Sequence, residues 1–201
     1  MPDRPIVGLV LAAGMSRRLG RPKQLVEIDG VPLVQIVAST AIESKLDEVV
    51  IVTGHEALAI EQAVSGLAVS VRWNADYGTG QASSLKAGVQ AARGLRADAV
   101  VVLLADQPGI TVDAIDRLIE ARRESGAWIG MASYGDERGH PVMFGRELFA
   151  ELDEISGDQG GREVIKRHPE RVVLVDGGSD CVPMDVDTEA DVEALGGEGR
   201  V

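Results

Sequence analysis

A chain of 201 residues with 45% hydrophobic and 26% charged residues is long enough to bury one substantial core. Its formal net charge of −12 argues against a general nucleic-acid or anionic-membrane surface, and 3% aromatic residues leave few platforms for stacking single-stranded bases. A single cysteine, Cys181, excludes an intramolecular disulfide and a thiolate-rich metal cage.

The opening apolar run is broken by Pro5 and Gly8, so no signal peptide is expected. No apolar stretch approaches the ~20 residues of a membrane span, and the expectation is a cytoplasmic protein. In chain order, "IVGLVLA" (6–12), "EVVIVTG" (48–54), "VSVRW" (69–73) and "DAVVVLLAD" (98–106) read as strands buried on both faces. Helix-period segments lie between and after them. The segment at 32–44 starts at Pro32, which suits a first helical turn, and that at 56–66 ends in Gly66, which suits a C-cap. The segment at 82–94 puts Leu85, Val89 and Ala92 on one face. At 111–126, Thr111 is the expected N-cap, with Ile115, Leu118 and Ile119 together.

This alternation predicts right-handed βαβ units and a mostly parallel sheet. Past Trp128 come "WIGMASYG", "HPVMFG", a helix from Glu147, another near Gly161 to His168, and "RVVLVD". They are expected to form the far side of the same sheet with an antiparallel addition. No linker or repeat divides the chain, which predicts one domain over residues 1–201.

Where the first strand ends, "LAAGMSRRLGRPKQL" places Gly14 and Gly20 among Arg17, Arg18, Arg21 and Lys23. Backbone N–H groups in such a loop, with these cations, suit polyphosphate, although a solvated basic loop is the plainer alternative. Five residues separate the two glycines and Arg21-Pro22 follows, so the loop is not a P-loop; G-x-G-x-x-G is absent too. Asp106 closes the fourth strand on the same sheet edge, where it could cap the next turn or hold a divalent cation between phosphates.

In "MDVDTEADV", Asp185 and Asp187 alternate along an extended segment, so one can face the site while the other supports structure. Thr188 is the expected cap of the final helix, with Asp191 in its first turn. The turn at Gly80, Ser83 and Ser84 leads into a helix N-terminus able to hold a base or phosphate, or simply capped by its serines. His140 beside Pro141 could be structural or catalytic. Asp158 and Arg162, in "GDQGGR", are consistent with a second anion contact.

Taken together, "LAAGMSRRLGRPKQL", "GTGQASSL", "LLADQP", "GHPVMF", "GDQGGR" and "DVDTEADV" resemble, in order, the motifs of the molybdenum cofactor cytidylyltransferases, over about residues 6 to 195. These are relatives of molybdenum cofactor guanylyltransferase. The resemblance implies a three-layer, Rossmann-like α/β nucleotidyltransferase fold acting with Mg²⁺ on a nucleoside triphosphate. It assigns Gly14, Arg18 and Lys23 to the triphosphate, Ala12, Ala13 and the Gly80–Ser84 turn to the base, and Asp106 with Asp187 to the metal. His140, Asp158 and Arg162 fall on the pterin side, with Arg18, Lys23 and Asp106 as the catalytic set. "LAAG" in place of "LAGG" favours CTP over GTP.

Two positions depart from the family pattern: Gly160-Gly161-Arg162, where Gly-Ala-Arg is frequent, and Gly80-Gln81-Ala82, where Gly-Met-Ser is usual. The implied reaction is CMP transfer from CTP to the terminal phosphate of molybdopterin, with a molybdoenzyme as recipient of the product. The alternatives are another phosphorylated acceptor, of the GTP or sugar-phosphate type, and a non-catalytic nucleotide-binding module that delivers cofactor.

Overall fold

The computed structural model describes residues 4–16, 19–178 and 183–196. Arg17, Arg18 and Cys181 therefore lie outside the described residues. A seven-stranded sheet forms the centre. In chain order its strands are β1 (Ile6–Ala12), β4 (Glu48–Thr53), β5 (Ser70–Trp73), β6 (Ala99–Leu104), β7 (Ile129–Tyr134), β8 (Glu137–Gly145) and β9 (Val172–Asp176). A separate hairpin joins β2 (Glu27–Ile28) to β3 (Val31–Pro32). The helices are α1 (Leu33–Glu43), α2 (Ala57–Ala63), α3 (Gln81–Gly94), α4 (Val112–Ser125), α5 (Phe149–Glu154), α6 (Arg162–Arg167) and α7 (Glu189–Gly196).

Across the sheet the strand order is β5-β4-β1-β6-β8-β7-β9. Only β8 runs against its neighbours, antiparallel to both β6 and β7, while β7 and β9 are parallel. This is the mostly parallel α/β sheet with an antiparallel addition that the pattern predicts. Val and Ile alternate to both faces because helices cover both. Ile6, Val10 and Ala12 join Ile51, Val101 and Leu103 under α1 and α4, whereas Val7, Leu9, Val50, Val52 and Val100 pack against α3 and α5. Each such buried aliphatic side chain contributes about 1.5–3 kcal/mol.

Several boundaries differ from expectation. The fifth strand is not buried: every residue from Ser70 to Trp73 is exposed, with Trp73 at 58%, because β5 is the sheet's edge. Pro32 is the N-cap of α1 rather than its first turn, and α2 stops at Ala63, before Gly66. The β2–β3 hairpin turns on Asp29 and Gly30, both at positive φ, a pairing suited to a two-residue hairpin turn. Thr111 caps α4 as predicted, its hydroxyl accepting from the Ala114 N–H. No helix among the described residues is long and apolar enough to cross a membrane.

At the far end of the sheet, Tyr134 donates its hydroxyl to the His140 carbonyl at 2.6 Å. Burial pushes the His140 imidazole down to about 4, with Asp185 opposing that fall and Arg162 adding to it. A histidine held neutral in the fold but free to protonate when unfolded makes stability fall as pH drops from about 6.5 to about 4. We expect a loss on the order of 2 kcal/mol across that window, measured by urea melts at pH 7 and pH 4.5. The loss should be absent in His140→Gln.

Candidate active site

The parallel register sets the site. Leu11 pairs with Leu104 and Ala12 with Thr53, so β1, β4 and β6 end together and release their following loops on one edge. The Ala105 N–H donates to the Leu11 carbonyl, which brings Asp106 beside the loop that follows β1. Asp106 lies in the turn just beyond Leu104, the last strand residue, rather than on the strand.

That loop is closed by its own side chains. Gln24, 3% exposed, donates Nε2 to the Gly14 carbonyl at 3.0 Å, and the Lys23 N–H donates to Ser16 Oγ at 2.9 Å. Lys23 is thereby turned inward. Its ammonium touches the Asp106 carboxylate and lies 2.9 Å from Asp187 Oδ1. Burial alone would lower the Lys23 pKa, but the two carboxylates overcome it and the net displacement is upward. Burial raises the Asp106 carboxyl, Lys23 offsets this in part, and Asp185 adds to the rise. The two partners thus move in ways that favour opposite states of the pair. The geometry decides between them: an ammonium bridging two carboxylates is an ion pair.

Asp187 reaches Lys23 because Val186 is anchored. Its side chain is fully buried with Val26 and Leu33, and its N–H donates to the Asp106 carbonyl at 3.0 Å. Thr188 and Asp191 then form a reciprocal cap. Asp191 Oδ2 accepts from the N–H groups of Asp187 and Thr188, while Thr188 Oγ1 accepts from the Asp191 N–H. Asp185 also faces functional space: its Oδ1 accepts from Gln107 Nε2 at 2.7 Å.

A cavity of about 440 Å³ opens over this edge, lined by Ala13, Gly14, Lys23, Gly80, Ser84, Asp106 and Asp158 among others. A smaller one of about 180 Å³ adjoins it, sharing Leu11, Gln81 and Leu104, and is lined by His140, Arg162, Asp185 and Gln107. Of the residues predicted on the base and phosphate side, Gly14, Ala13, Lys23, Gly80, Ser84 and Asp106 meet in the first cavity.

Ala12 does not, because strand alternation points its methyl group into the core. Ser83 is turned to a groove beside β5, its hydroxyl donating to the Gly80 carbonyl within the first helical turn. His140 and Arg162 share the second cavity, but Asp158 lines the first. Residues given no role from the sequence also contribute. Asn74 donates to the hydroxyls of Ser83 and Ser84 at 2.8 and 3.1 Å, Gln24 and Ser16 brace the loop, and Tyr77 stacks on His55. Short polar side chains beside glycines carry little signal in a sequence.

Gly80 brings the α3 turn against the neighbouring loop. Its φ of 116° and ψ of 169° are accessible essentially to glycine alone, and a Cβ there would meet the Gly157 backbone at 2.5 Å. Gly80→Ala is expected to destabilise the fold by about 1–3 kcal/mol and to open the cavity, raising the nucleotide Kd about tenfold in isothermal titration.

A profile of the MobA-like NTP transferase domain matches residues 8–172. The chain belongs to that family. MobA-like transferases are nucleotidyltransferases, and this chain is of that type. Molybdenum cofactor guanylyltransferase from Rhodobacter capsulatus is 28% identical, over 90% of this chain and 85% of its own. Nicotine blue oxidoreductase from Paenarthrobacter nicotinovorans is 35% identical, over 92% of this chain and 94% of its own. The crystal structure of Rv0371c from Mycobacterium tuberculosis in complex with manganese superposes with a TM-score of 0.76 at 32% identity, covering 95% and 97% of the two chains. MobA-like relatives thus carry names from two reaction classes.

Proposed function

We propose that this protein moves CMP from CTP to the terminal phosphate of a molybdopterin-type acceptor, releasing pyrophosphate. A phosphate oxygen of the acceptor attacks the α-phosphorus in line, the bond to the β-phosphate oxygen breaks, and the pyrophosphate leaves with its electrons. The observation that carries the reading is the Lys23 ammonium set between Asp106 and Asp187 at the mouth of a glycine-lined cavity. Phosphoryl chemistry of this kind is served by positioning and charge neutralisation, without a protein nucleophile.

The two carboxylates fit a divalent cation such as Mg²⁺ or Mn²⁺. They already hold one positive charge between them, and their hard oxygen donors match such ions. No group of three or more acidic, histidine or cysteine side chains suited to a metal occurs among the described residues. That agrees with a cation completed by substrate oxygens, and Rv0371c supplies a relative with manganese. When bound, the cation would neutralise charge on the triphosphate. Gly14 and the loop N–H groups cradle the phosphates, with Lys23, and Arg18 of the same loop, as cations. Ala13, Gly80 and Ser84 line the base side, and the Ala12-Ala13-Gly14 sequence supports CTP over GTP.

On the acceptor side, neutral His140 and the Arg162 guanidinium offer a hydrogen-bonding group and a phosphate clamp, while Asp158 lines the larger cavity. The product would pass to a molybdoenzyme. Purified protein with Mg²⁺ or Mn²⁺, molybdopterin and each nucleoside triphosphate should release pyrophosphate fastest with CTP. A preference for GTP overturns the base assignment. No pyrophosphate from any triphosphate overturns the molybdopterin acceptor and leaves the other phosphorylated acceptors and the non-catalytic module.

A further inference from the structure

The ammonium of Lys23 touches Asp106 and lies 2.9 Å from Asp187 Oδ1, with the side chains of all three partly or largely shielded: 20%, 14% and 36% exposed. The backbone of Lys23 is pinned by Ser16 on one side and by the turn to Val26 on the other. Asp187 is pinned by the Thr188–Asp191 cap and by the burial of Val186. The backbones of both aspartates are therefore held, that of Asp106 by the Val186 N–H on its carbonyl, and the longest free-turning side chain of the cluster is the four-carbon lysine stem.

We infer that Lys23 is the resident cation of the nucleotide-free site, holding the position a divalent ion would take and leaving it when nucleotide arrives. This rests on the reading that Asp106 and Asp187 bind the metal. A divalent ion shared by these two carboxylates needs oxygens at about 2.0–2.1 Å, and Nζ stands between the same two carboxylates. Ion and ammonium repel and cannot share that position. Displacing Lys23 without offering it an anion leaves a cation in a half-buried site with its partners taken, an expensive state. A triphosphate removes that cost by pairing with the released ammonium.

Metal alone thus binds against an internal competitor, and metal with nucleotide binds without one. Lys23 is then more than a phosphate ligand: it keeps two neighbouring carboxylates compensated while the site is empty and couples the two ligands when it fills. The competing arrangement is a metal held on outer carboxylate oxygens with Lys23 still in place. It predicts only the smaller gain in Mn²⁺ affinity that comes from lost repulsion when the lysine is removed, without the release of an occupied position.

The test is Mn²⁺ binding to the full chain without nucleotide, read from the free-ion electron paramagnetic resonance signal. Lys23→Met and Lys23→Gln should each bind Mn²⁺ roughly tenfold or more tightly than the parent protein, because a like charge next to the ion is gone. Both variants should also gain more in melting temperature from Mn²⁺ than the parent does, since the ion replaces the charge that Lys23 supplied to the carboxylates. Unchanged or weaker Mn²⁺ affinity in both variants, with native circular dichroism, overturns the inference while leaving the metal reading intact. Retention of full Mn²⁺ affinity by Asp106→Ala overturns the metal reading and the inference with it.

Discussion

Asp106→Ala is expected to lower nucleotidyl transfer by about 10³-fold or more while leaving the protein folded. The carboxylate contributes to no core cluster, and its backbone carbonyl, which accepts from Val186, is untouched by the change. Lys23 keeps Asp187 as a partner, so no lone buried charge remains. What disappears is one of the two fixed anions that would hold the cation over the triphosphate, and such electrostatic preorganisation supplies several kcal/mol of a phosphoryl-transfer barrier. Steady-state pyrophosphate release checks the rate, and circular dichroism melts check the fold. Asp106→Asn, equal in shape but uncharged, should lose nearly as much. Full activity in either variant would remove Asp106 from the chemistry.

The second large effect is on stability, at Arg122 on α4. Its side chain is 5% exposed and makes a complete set of contacts: Nε to Asp98 Oδ2 at 2.7 Å, Nη2 to Glu147 Oε1 at 3.1 Å, and Nη1 to the Ala127 carbonyl at 3.0 Å. It ties the end of α4 to the entry of β6 and to the turn after β8. Arg122→Leu removes the cation and leaves Asp98 and Glu147 facing each other with unpaired carbonyls between them. The expected cost is about 3–5 kcal/mol, which lowers the melting temperature by roughly 10 °C for a chain of this size. The conservative change Arg122→Lys should retain only part of the stability, because a point charge cannot satisfy a fork of partners.

The same cluster carries a pH signature. Burial would raise the Asp98 carboxyl, but Arg122 and Arg146 hold it below the ordinary carboxylate range. Its stabilisation is present above that range and is lost as pH falls through the lowered folded value. In Arg122→Leu the acid limb of the stability profile should flatten.

Much of this molecule was legible in the chain. Continuous Val, Ile and Leu runs mark β1, β4 and β6 because strands covered on both faces need no polar side. Asp106 and the Gly14 loop were legible for the same reason, since parallel strands deliver their C-terminal residues to a common edge. Thr188 and Asp191 were read as cap and first turn, and they form the cap. The edge position of β5 was not legible: "VSVRW" has strand composition, and only the strand order shows that nothing covers it. The exit of Ser83 from the cleft was likewise hidden, because one helical step separates the direction of Ser83 from that of Ser84 by about 100°.

By itself, then, the sequence determined the alternating α/β plan, the family and the ingredients of the site: a glycine-rich basic loop, an aspartate at a strand end, and a second acidic segment late in the chain. Local periodicity and residue chemistry are sufficient for those. The tertiary structure decided which ingredients meet. Lys23 and Asp187 are separated by 164 positions, and they touch because Val186 is buried against the hairpin that follows Lys23. No local pattern encodes that contact. It is selected by where an apolar side chain finds its burial, and that burial places one charged carboxylate, rather than its neighbour two residues earlier, against the ammonium.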